Sequence, residues 1–262
     1  MTKYGQHFLI DQTVLQSMVD LVRRFGSQDT ILEIGPGKGM LTAKLVKLAR
    51  RVIAIEIDPS LAPHLDPLCK KYPNLTVLYD DVLKTNLAEL GLKSGAYSLA
   101  SNLPYDITGM VLRQFLTQAP WPSHMALLIQ KEVAERITAK PGHLSILGLS
   151  VQAFSYPNLI RLVPPEAFSP KPKVHSAIIS LEGIHQHDKV APDLVPAWFR
   201  LVKAGFAQKR KLLKSNIHNI NVPKELIASS FAEIGLKETV RAQELSLKQW
   251  VQLVDKLHQF IV

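Results

Sequence analysis

The spacing of hydrophobic and polar positions divides the chain into two regions of different character. In the first, short β-branched runs alternate with segments of helical periodicity, the pattern of a mostly parallel sheet with crossover helices. Ile31-Leu32-Glu33-Ile34 reads as a first strand, and Leu41, Leu45 and Leu48 follow it at helical spacing. Val52 to Ile55, Leu75 to Leu78, Tyr97 to Ala100 and Met125 to Ile129 read as the next strands. Two later strands are expected at Leu159 to Val163 and Val174 to Leu181. Between those two lies the proline-rich stretch Pro164 to Lys173, which predicts an ordered loop, because proline removes a donor and fixes φ. After Gly183 the pattern changes. A polar connector from His185 to Pro192 precedes helical periodicity over Leu194 to Phe206, Lys209 to His218, Glu225 to Phe231 and Leu247 to Phe260. The expectation is an α/β domain over 1–184 and a small α-helical domain over 185–262, with no internal repeat.

Length and composition agree with that division. A chain of 262 residues favours one large domain plus a smaller one, and 47% hydrophobic content suffices for a buried core. No apolar run approaches the ~20 residues a membrane span needs. The segment Met1-Thr2-Lys3-Tyr4-Gly5 resembles neither a signal peptide nor an Arg-rich presequence, so a cytoplasmic location is expected. Cys69 is the one cysteine, which excludes an internal disulfide, and no organised base stands near it in sequence to make it a nucleophile. The nine histidines show no pair at metal-ligand spacing, and His185-Gln186-His187 reads as a solvated loop, so no metal is expected.

Charge adds a partner class. The formal net charge of +9 points to a polyanion. A membrane surface would need a basic amphipathic helix with a broad apolar face, and none stands out. Lys203, Lys209, Arg210, Lys211 and Lys214 concentrate the charge in the C-terminal region.

The candidate chemistry sits at the ends of the predicted strands. Glu33-Ile34-Gly35-Pro36-Gly37-Lys38-Gly39 is a glycine-rich turn between strand and helix, where backbone can approach a ligand and a helix N-terminus offers free N–H groups. A tight turn without ligand is the ordinary alternative. Glu56 ends the second strand about 20 residues on, where a carboxylate can take both hydroxyls of a ribose. That pair suits NAD(P) and S-adenosylmethionine equally, since both carry an adenosine. Asp80-Asp81, after the third strand, adds acceptors for an adenine amino group, although a solvated turn would use Asp as well.

Ser101-Asn102-Leu103-Pro104-Tyr105, after the fourth strand, separates the two cofactors. An adenine amine is a poor nucleophile because its lone pair is delocalised into the ring. The Asn102 side-chain oxygen and the Leu103 carbonyl could hold its two N–H groups, localise the lone pair and aim it at a sulfonium methyl. Pro104 fixes the backbone and Tyr105 can stack on an extruded base, a contact worth about 1–3 kcal/mol. Holding amine and methyl in line could supply ~7–11 kcal/mol, so positioning is expected to outweigh acid–base catalysis. The bland alternative is an Asn-x-Pro turn capping a helix at Ile107. No side chain in these motifs is an obvious proton acceptor, and the released proton is expected to pass to solvent.

With these residues in place the chain resembles, almost end to end, the KsgA-type family of small-subunit ribosomal RNA adenine dimethyltransferases. Tyr4-Gly5-Gln6-His7-Phe8-Leu9 resembles the family's N-terminal motif, and Gln130 to Arg136 its segment after the fifth strand. Val163 to Phe168 and Pro170 to Val174 are similar to its late loop, and Phe206-Ala207-Gln208-Lys209-Arg210-Lys211 to the basic helix of its C-terminal domain. The resemblance implies a Rossmann-like S-adenosylmethionine-dependent methyltransferase domain followed by a helical RNA-binding domain. It implies that His7, Leu9, Gly35, Gly37, Glu56, Asp81 and Asn102 line the cofactor site. Asn102, Leu103, Pro104 and Tyr105 would handle the target amine and base, and Phe168 would stack on the adenine's other face, although Phe168 reads equally well as a core anchor of its loop. Lys209, Arg210, Lys211 and Lys214 would meet RNA phosphates, where a solvated helix face is the ordinary reading. The implied product is dimethyladenosine at two adjacent positions of a hairpin loop near the 3′ end of small-subunit rRNA. The implied partner is that RNA within a pre-ribosomal particle, with the enzyme acting as a monomer.

Several positions depart from the family pattern. His7 stands where Asn is usual, Ser101 where Gly is usual and Asp106 where Asn is usual; the segment around Pro141-Gly142-His143 is short, and Lys3 alone remains of the basic residues before the first motif. Related alternatives are an erythromycin-resistance-type methyltransferase of large-subunit rRNA and a DNA adenine methyltransferase. Leu103, Val163-Pro164-Pro165 and Gln208 to Lys211 favour the small-subunit type. A non-catalytic RNA-binding assembly factor on the same fold is the alternative from another class, opposed by the intact Asn102 to Tyr105. An NAD-dependent dehydrogenase ranks last, for want of the Gly-x-Gly-x-x-Gly spacing.

Overall fold

The computed structural model describes residues 6–26, 28–185 and 189–261. Lys3, Tyr4, Gly5, Gln186 and His187 lie outside the described residues. Two compact units emerge: Met1–Ala134 with Tyr156–Ile184, and Glu135–Ser155 with His185–Val262. The chain therefore changes unit at 184/185, at the polar connector, but the contiguous first domain expected over 1–184 is interrupted, because 135–155 packs with the C-terminal helices.

In the first unit, β1 (Phe8–Leu9), α1 (Gln12–Arg24), β2 (Gln28–Ile34), α2 (Thr42–Leu45), β3 (Ala49–Glu56), α3 (Ala62–Lys71) and β4 (Leu75–Tyr79) come first. They are followed by β5 (Ser98–Asn102), α4 (Thr108–Thr117) and β6 (His124–Gln130). After α5 (Lys131–Ile137) and α6 (Ile146–Gln152), the chain returns through β7 (Tyr156–Val163), β8 (Phe168–Ser169) and β9 (Ser176–Glu182). Seven strands form one sheet in the order β4-β3-β2-β5-β6-β9-β7. Strands β2 to β6 pair in parallel, while β9 runs antiparallel to both β6 and β7. Met125 to Ile129 of β6 are all buried, as expected of a central strand covered on both faces. The chain builds outward from β2 to β4, then crosses back to place β5 beside β2. Such a reversal opens a crevice at the carboxyl ends of the two strands, the usual place for a ligand in an open α/β sheet.

Helix α1 was not foreseen from the pattern, although its signals are local. Asp11 caps it, accepting from the Thr13 and Val14 amides at 2.7 and 3.1 Å. Val14, Leu15, Met18, Val19, Leu21 and Val22 form its buried face. From β7, the Arg161 guanidinium donates to the Thr13 carbonyl at 3.1 Å and to Ser17 Oγ at 2.7 Å.

The proline-rich stretch is more ordered than a loop. Pro165–Ala167 forms a 3-10 turn, and β8 after it pairs antiparallel with β1 in the register Phe8↔Ser169 and Leu9↔Phe168. The Ile10 amide extends this ladder by donating to the Ala167 carbonyl at 2.8 Å. Leu9 and Phe168, 5% and 3% exposed, bury their side chains in the core formed with α1 and the sheet.

In the second unit, α7 (Val195–Gly205), α8 (Leu213–His218), α9 (Lys224–Glu233) and α10 (Leu247–Leu257) pack around Trp198, Leu201, Phe231, Trp250 and Leu253. A Ser246–Gln249 capping box starts α10. The helix expected over Lys209 to His218 begins only at Leu213. Buried Asn216 explains the difference, since its Nδ2 donates to the Gly205 carbonyl at 2.6 Å and to the Gln208 carbonyl at 3.2 Å. Those bonds hold residues 205–208 as a turn and leave Lys209, Arg210 and Lys211 on exposed irregular backbone.

Candidate active site

The carboxyl ends of β2, β3, β4 and β5 surround a cavity with about 880 Å³ of empty space, part of it open to solvent. Its floor begins at the glycine-rich turn. Gly35 closes onto the neighbouring strand by donating to the Ile55 carbonyl at 2.9 Å. Gly37 has φ of +58°, and a Cβ there would come within 3.0 Å of the Phe8 ring. Gly39 has φ of +76°, and a Cβ there would meet Leu68 Cδ1 at 2.4 Å. Only glycine satisfies both the left-handed backbone and the close approach.

Glu56, at the end of β3, is 2% exposed. Its Oε2 accepts from the Gly37 amide and its Oε1 from the Asp58 amide, each at 3.0 Å. Burial raises its pKa, and these backbone donors oppose the rise. Glu56 therefore holds the glycine turn in shape while lining the cavity, a role that its position in the sequence does not announce. After β4, Asp80 accepts from the Asp81 amide at 2.7 Å and from Thr85 Oγ1 at 2.9 Å. Asp81 accepts from the Leu83 amide at 3.0 Å and lies 3.6 Å from Lys84 Nζ. Both aspartates are fixed by their own turn and both line the cavity.

The segment after β5 is anchored from several directions. Ser101 Oγ, fully buried, donates to the Ile34 carbonyl at 2.6 Å and so ties β5 to β2. The Leu103 amide donates to the Leu128 carbonyl at 3.0 Å, and Thr108 Oγ1 donates to the Pro104 carbonyl at 3.0 Å. The Tyr105 hydroxyl shares a 2.7 Å hydrogen bond with Ser176 Oγ. Asn102 Nδ2 donates to the His7 carbonyl at 3.1 Å. A carbonyl can only accept, so this bond fixes which way the amide faces and leaves Oδ1 as the free acceptor. No protein donor takes Asn102 Oδ1 or the Leu103 carbonyl among the described residues. The His7 ring stands 5.7 Å from that of Tyr105, tilted by 34°.

Beneath the glycine turn, Glu33 is 1% exposed and its Oε2 has no hydrogen-bond partner. Burial raises its carboxyl to about 8, against a lowering by the Thr42 side chain, and the nearby Glu56 charge adds to the rise.

The structure thus brings His7, Gly35, Gly37, Glu56, Asp81, Asn102, Leu103, Pro104 and Tyr105 to one cavity. It places Leu9 and Phe168 elsewhere. Both belong to the core beneath the β1–β8 ladder, and neither lines the cavity. Phe168 is a core anchor here, because the antiparallel pairing turns its ring inward with Leu9. Lys209, Arg210 and Lys211 lie in the other unit on the exposed turn, and Lys214 is ion-paired to Glu238 at 2.6 Å. Phe8, Ile57, Val82 and Ile107 supply apolar wall that the motifs did not indicate. Ile57, 46% exposed directly after a buried strand, is the one with a signal of its own, an isoleucine at a strand's open end.

Sheet order, the antiparallel β9 and a carboxyl-lined cavity at the β2–β5 crevice define a Rossmann-like methyltransferase fold. The model of the ribosomal RNA adenine dimethylase family matches residues 1–259, and the chain belongs to that family. Among its relatives is a ribosomal RNA small subunit methyltransferase A from Dehalococcoides mccartyi, 38% identical over 95% of this chain and 85% of that protein. A solved dimethyladenosine transferase from Plasmodium falciparum superposes with a TM-score of 0.80 at 26% identity, over 97% of this chain and 98% of that one. The 23S rRNA methyltransferase ErmE shares the fold, with a TM-score of 0.76 at 24% identity over 96% of this chain and 100% of that one.

Proposed function

We propose that this protein methylates the exocyclic amine of two adjacent adenosines, twice each, in a hairpin loop near the 3′ end of small-subunit rRNA, and so contributes to small-subunit biogenesis. The substrate is the RNA within a pre-ribosomal particle. The observation that carries the reading is the orientation of Asn102. With Nδ2 held by the His7 carbonyl at 3.1 Å, Oδ1 and the free Leu103 carbonyl form a pair of acceptors at the end of β5. Two acceptors on adjacent residues match in number the two N–H groups of an adenine amine. Hydrogen bonds donated by the amine to both draw the lone pair out of conjugation and aim it along one line.

The residues around the cavity fit S-adenosylmethionine, which when bound supplies an electrophilic methyl group on sulfur. The glycine turn allows backbone to approach the ligand, where any Cβ at Gly37 would collide with Phe8. Glu56 keeps acceptor capacity for ribose hydroxyls beyond its two backbone bonds, and Asp80 and Asp81 stand at the next strand end. With Asp106, these carboxyls give the cavity an acidic lining suited to a cationic cofactor. Leu9 and Phe168 support this wall from the core. Tyr105, tethered to Ser176, offers a ring face for the extruded base. Lys209, Arg210 and Lys211, exposed on their turn, would meet phosphates, whereas Lys214 must first leave Glu238.

Incubation with S-adenosylmethionine and small-subunit particles lacking the modification should yield dimethyladenosine on digestion to nucleosides. Asn102→Ala should abolish that product while leaving cofactor affinity nearly unchanged. Wild-type product formation by Asn102→Ala contradicts the amine-holding role.

A further inference from the structure

Methylation of an amine leaves a cationic nitrogen that must lose a proton, and the motif after β5 contains no base to take it. The N-terminal segment supplies one. His7 immediately precedes β1, and its half-buried imidazole lines the cavity with Asn102 and Tyr105. Its Nδ1 lies 2.7 Å from the Pro170 carbonyl oxygen. Because a carbonyl only accepts, Nδ1 carries the proton of that bond, and in the neutral ring Nε2 then holds the lone pair. Nε2 has no protein partner among the described residues. Three contacts fix the residue: the bond to Pro170, the bond from Asn102 Nδ2 to the His7 carbonyl at 3.1 Å, and the packing of its ring against Tyr105. The β1–β8 ladder holds His7 and Pro170 in register, since Phe8 pairs with Ser169. One residue therefore sets the orientation of the amine-holding amide and places a free imidazole nitrogen in the same wall.

We propose that His7 Nε2 is the proton acceptor of the methyl transfer, an inference that rests on the function proposed above. The amine lone pair forms the new N–C bond, and the C–S bond breaks with its electron pair passing to sulfur, which becomes a neutral thioether. The methylated nitrogen, now cationic, gives one proton to Nε2 directly or through one water. The nitrogen is neutral again, and its remaining N–H makes a second round possible. The imidazolium keeps its Nδ1–H bond to Pro170 and returns the Nε2 proton to solvent through the open side of the cavity.

Most of the other titratable groups sharing the cavity are already engaged. Glu56 has both oxygens on backbone amides, and Asp80 and Asp81 are engaged in their turn. Burial raises the Tyr105 phenol, which already shares its hydrogen with Ser176. Asp106 is the remaining carboxyl on the cavity wall. Around His7, Lys38 stands over the Phe8 ring at 5.0 Å, and Lys171, next to Pro170, is ion-paired to Glu166.

Two measurements test the proposal together. In the cofactor-free protein, long-range ¹⁵N–¹H NMR of the neutral ring should find His7 as the Nδ1–H tautomer; an Nε2–H tautomer overturns the assignment. Single-turnover methyl transfer should slow at acid pH, because a protonated base cannot accept the proton. His7→Asn and His7→Gln should lose that pH limb and run on the order of 100-fold slower at pH 8 under saturating S-adenosylmethionine. An active wild type whose rate and pH limb are shared by His7→Asn overturns the role of His7 alone. A wild type that transfers no methyl group to small-subunit RNA overturns the proposed function and this role with it.

Discussion

Glu33→Gln should change how stability depends on pH, with a sign set by burial. Glu33 is 1% exposed, Oε2 lacks a hydrogen-bond partner, and the carboxyl is raised from 4.5 to about 8. Between those values the folded protein keeps the Glu33 proton and the unfolded chain releases it. The group's contribution to stability is therefore complete below pH 4.5 and declines as pH rises towards 8. From pH 5.5 to 7.5 that decline amounts to about 2 kcal/mol, taking roughly 1.4 kcal/mol per unit and allowing for partial ionisation near the upper end. Glutamine cannot ionise, so denaturant unfolding at the two pH values should show wild type losing about 2 kcal/mol more than Glu33→Gln. Comparing differences removes any constant cost of fitting an amide into the site. It also cancels the other titrating groups to first order, Glu56 excepted, whose charge reaches Glu33. Parallel pH dependences in the two proteins would mean instead that Glu33 is ionised in the fold.

Glu56→Ala should weaken S-adenosylmethionine binding by at least about 10-fold in calorimetry, since charge-assisted hydrogen bonds contribute ~1.5–3 kcal/mol each. Unchanged affinity would remove Glu56 from the ribose. Replacing Lys209, Arg210 and Lys211 together by glutamine should lower the slope of log K against log salt for RNA binding by about 2 to 3. An unchanged slope would move the RNA face elsewhere.

The sheet was legible because most of its strands are short apolar runs bounded by turn residues, and a central strand such as β6 has no polar face to blur it. The cavity was legible because its residues sit at strand ends, where parallel α/β sheets concentrate ligand contacts. What escaped depends on contacts distant in sequence. Phe168 reads as a stacking ring or a core anchor with equal ease, and only its pairing opposite Leu9 decides for the core. The basic run reads as helix until Asn216 takes the carbonyls of Gly205 and Gln208. The two compact units interleave because 135–155 packs with the later helices, and no local composition shift marks that exchange. Helix α1 is different: its capping Asp11 and its apolar spacing are local features, legible without any distant contact.

The most direct test of the account offers tritiated S-adenosylmethionine to undermethylated small-subunit particles and, in parallel, to large-subunit rRNA. Label should appear in the small-subunit RNA alone, recovered as dimethyladenosine. Label in the large-subunit RNA would contradict the substrate assignment, and label in neither would contradict methyl transfer itself.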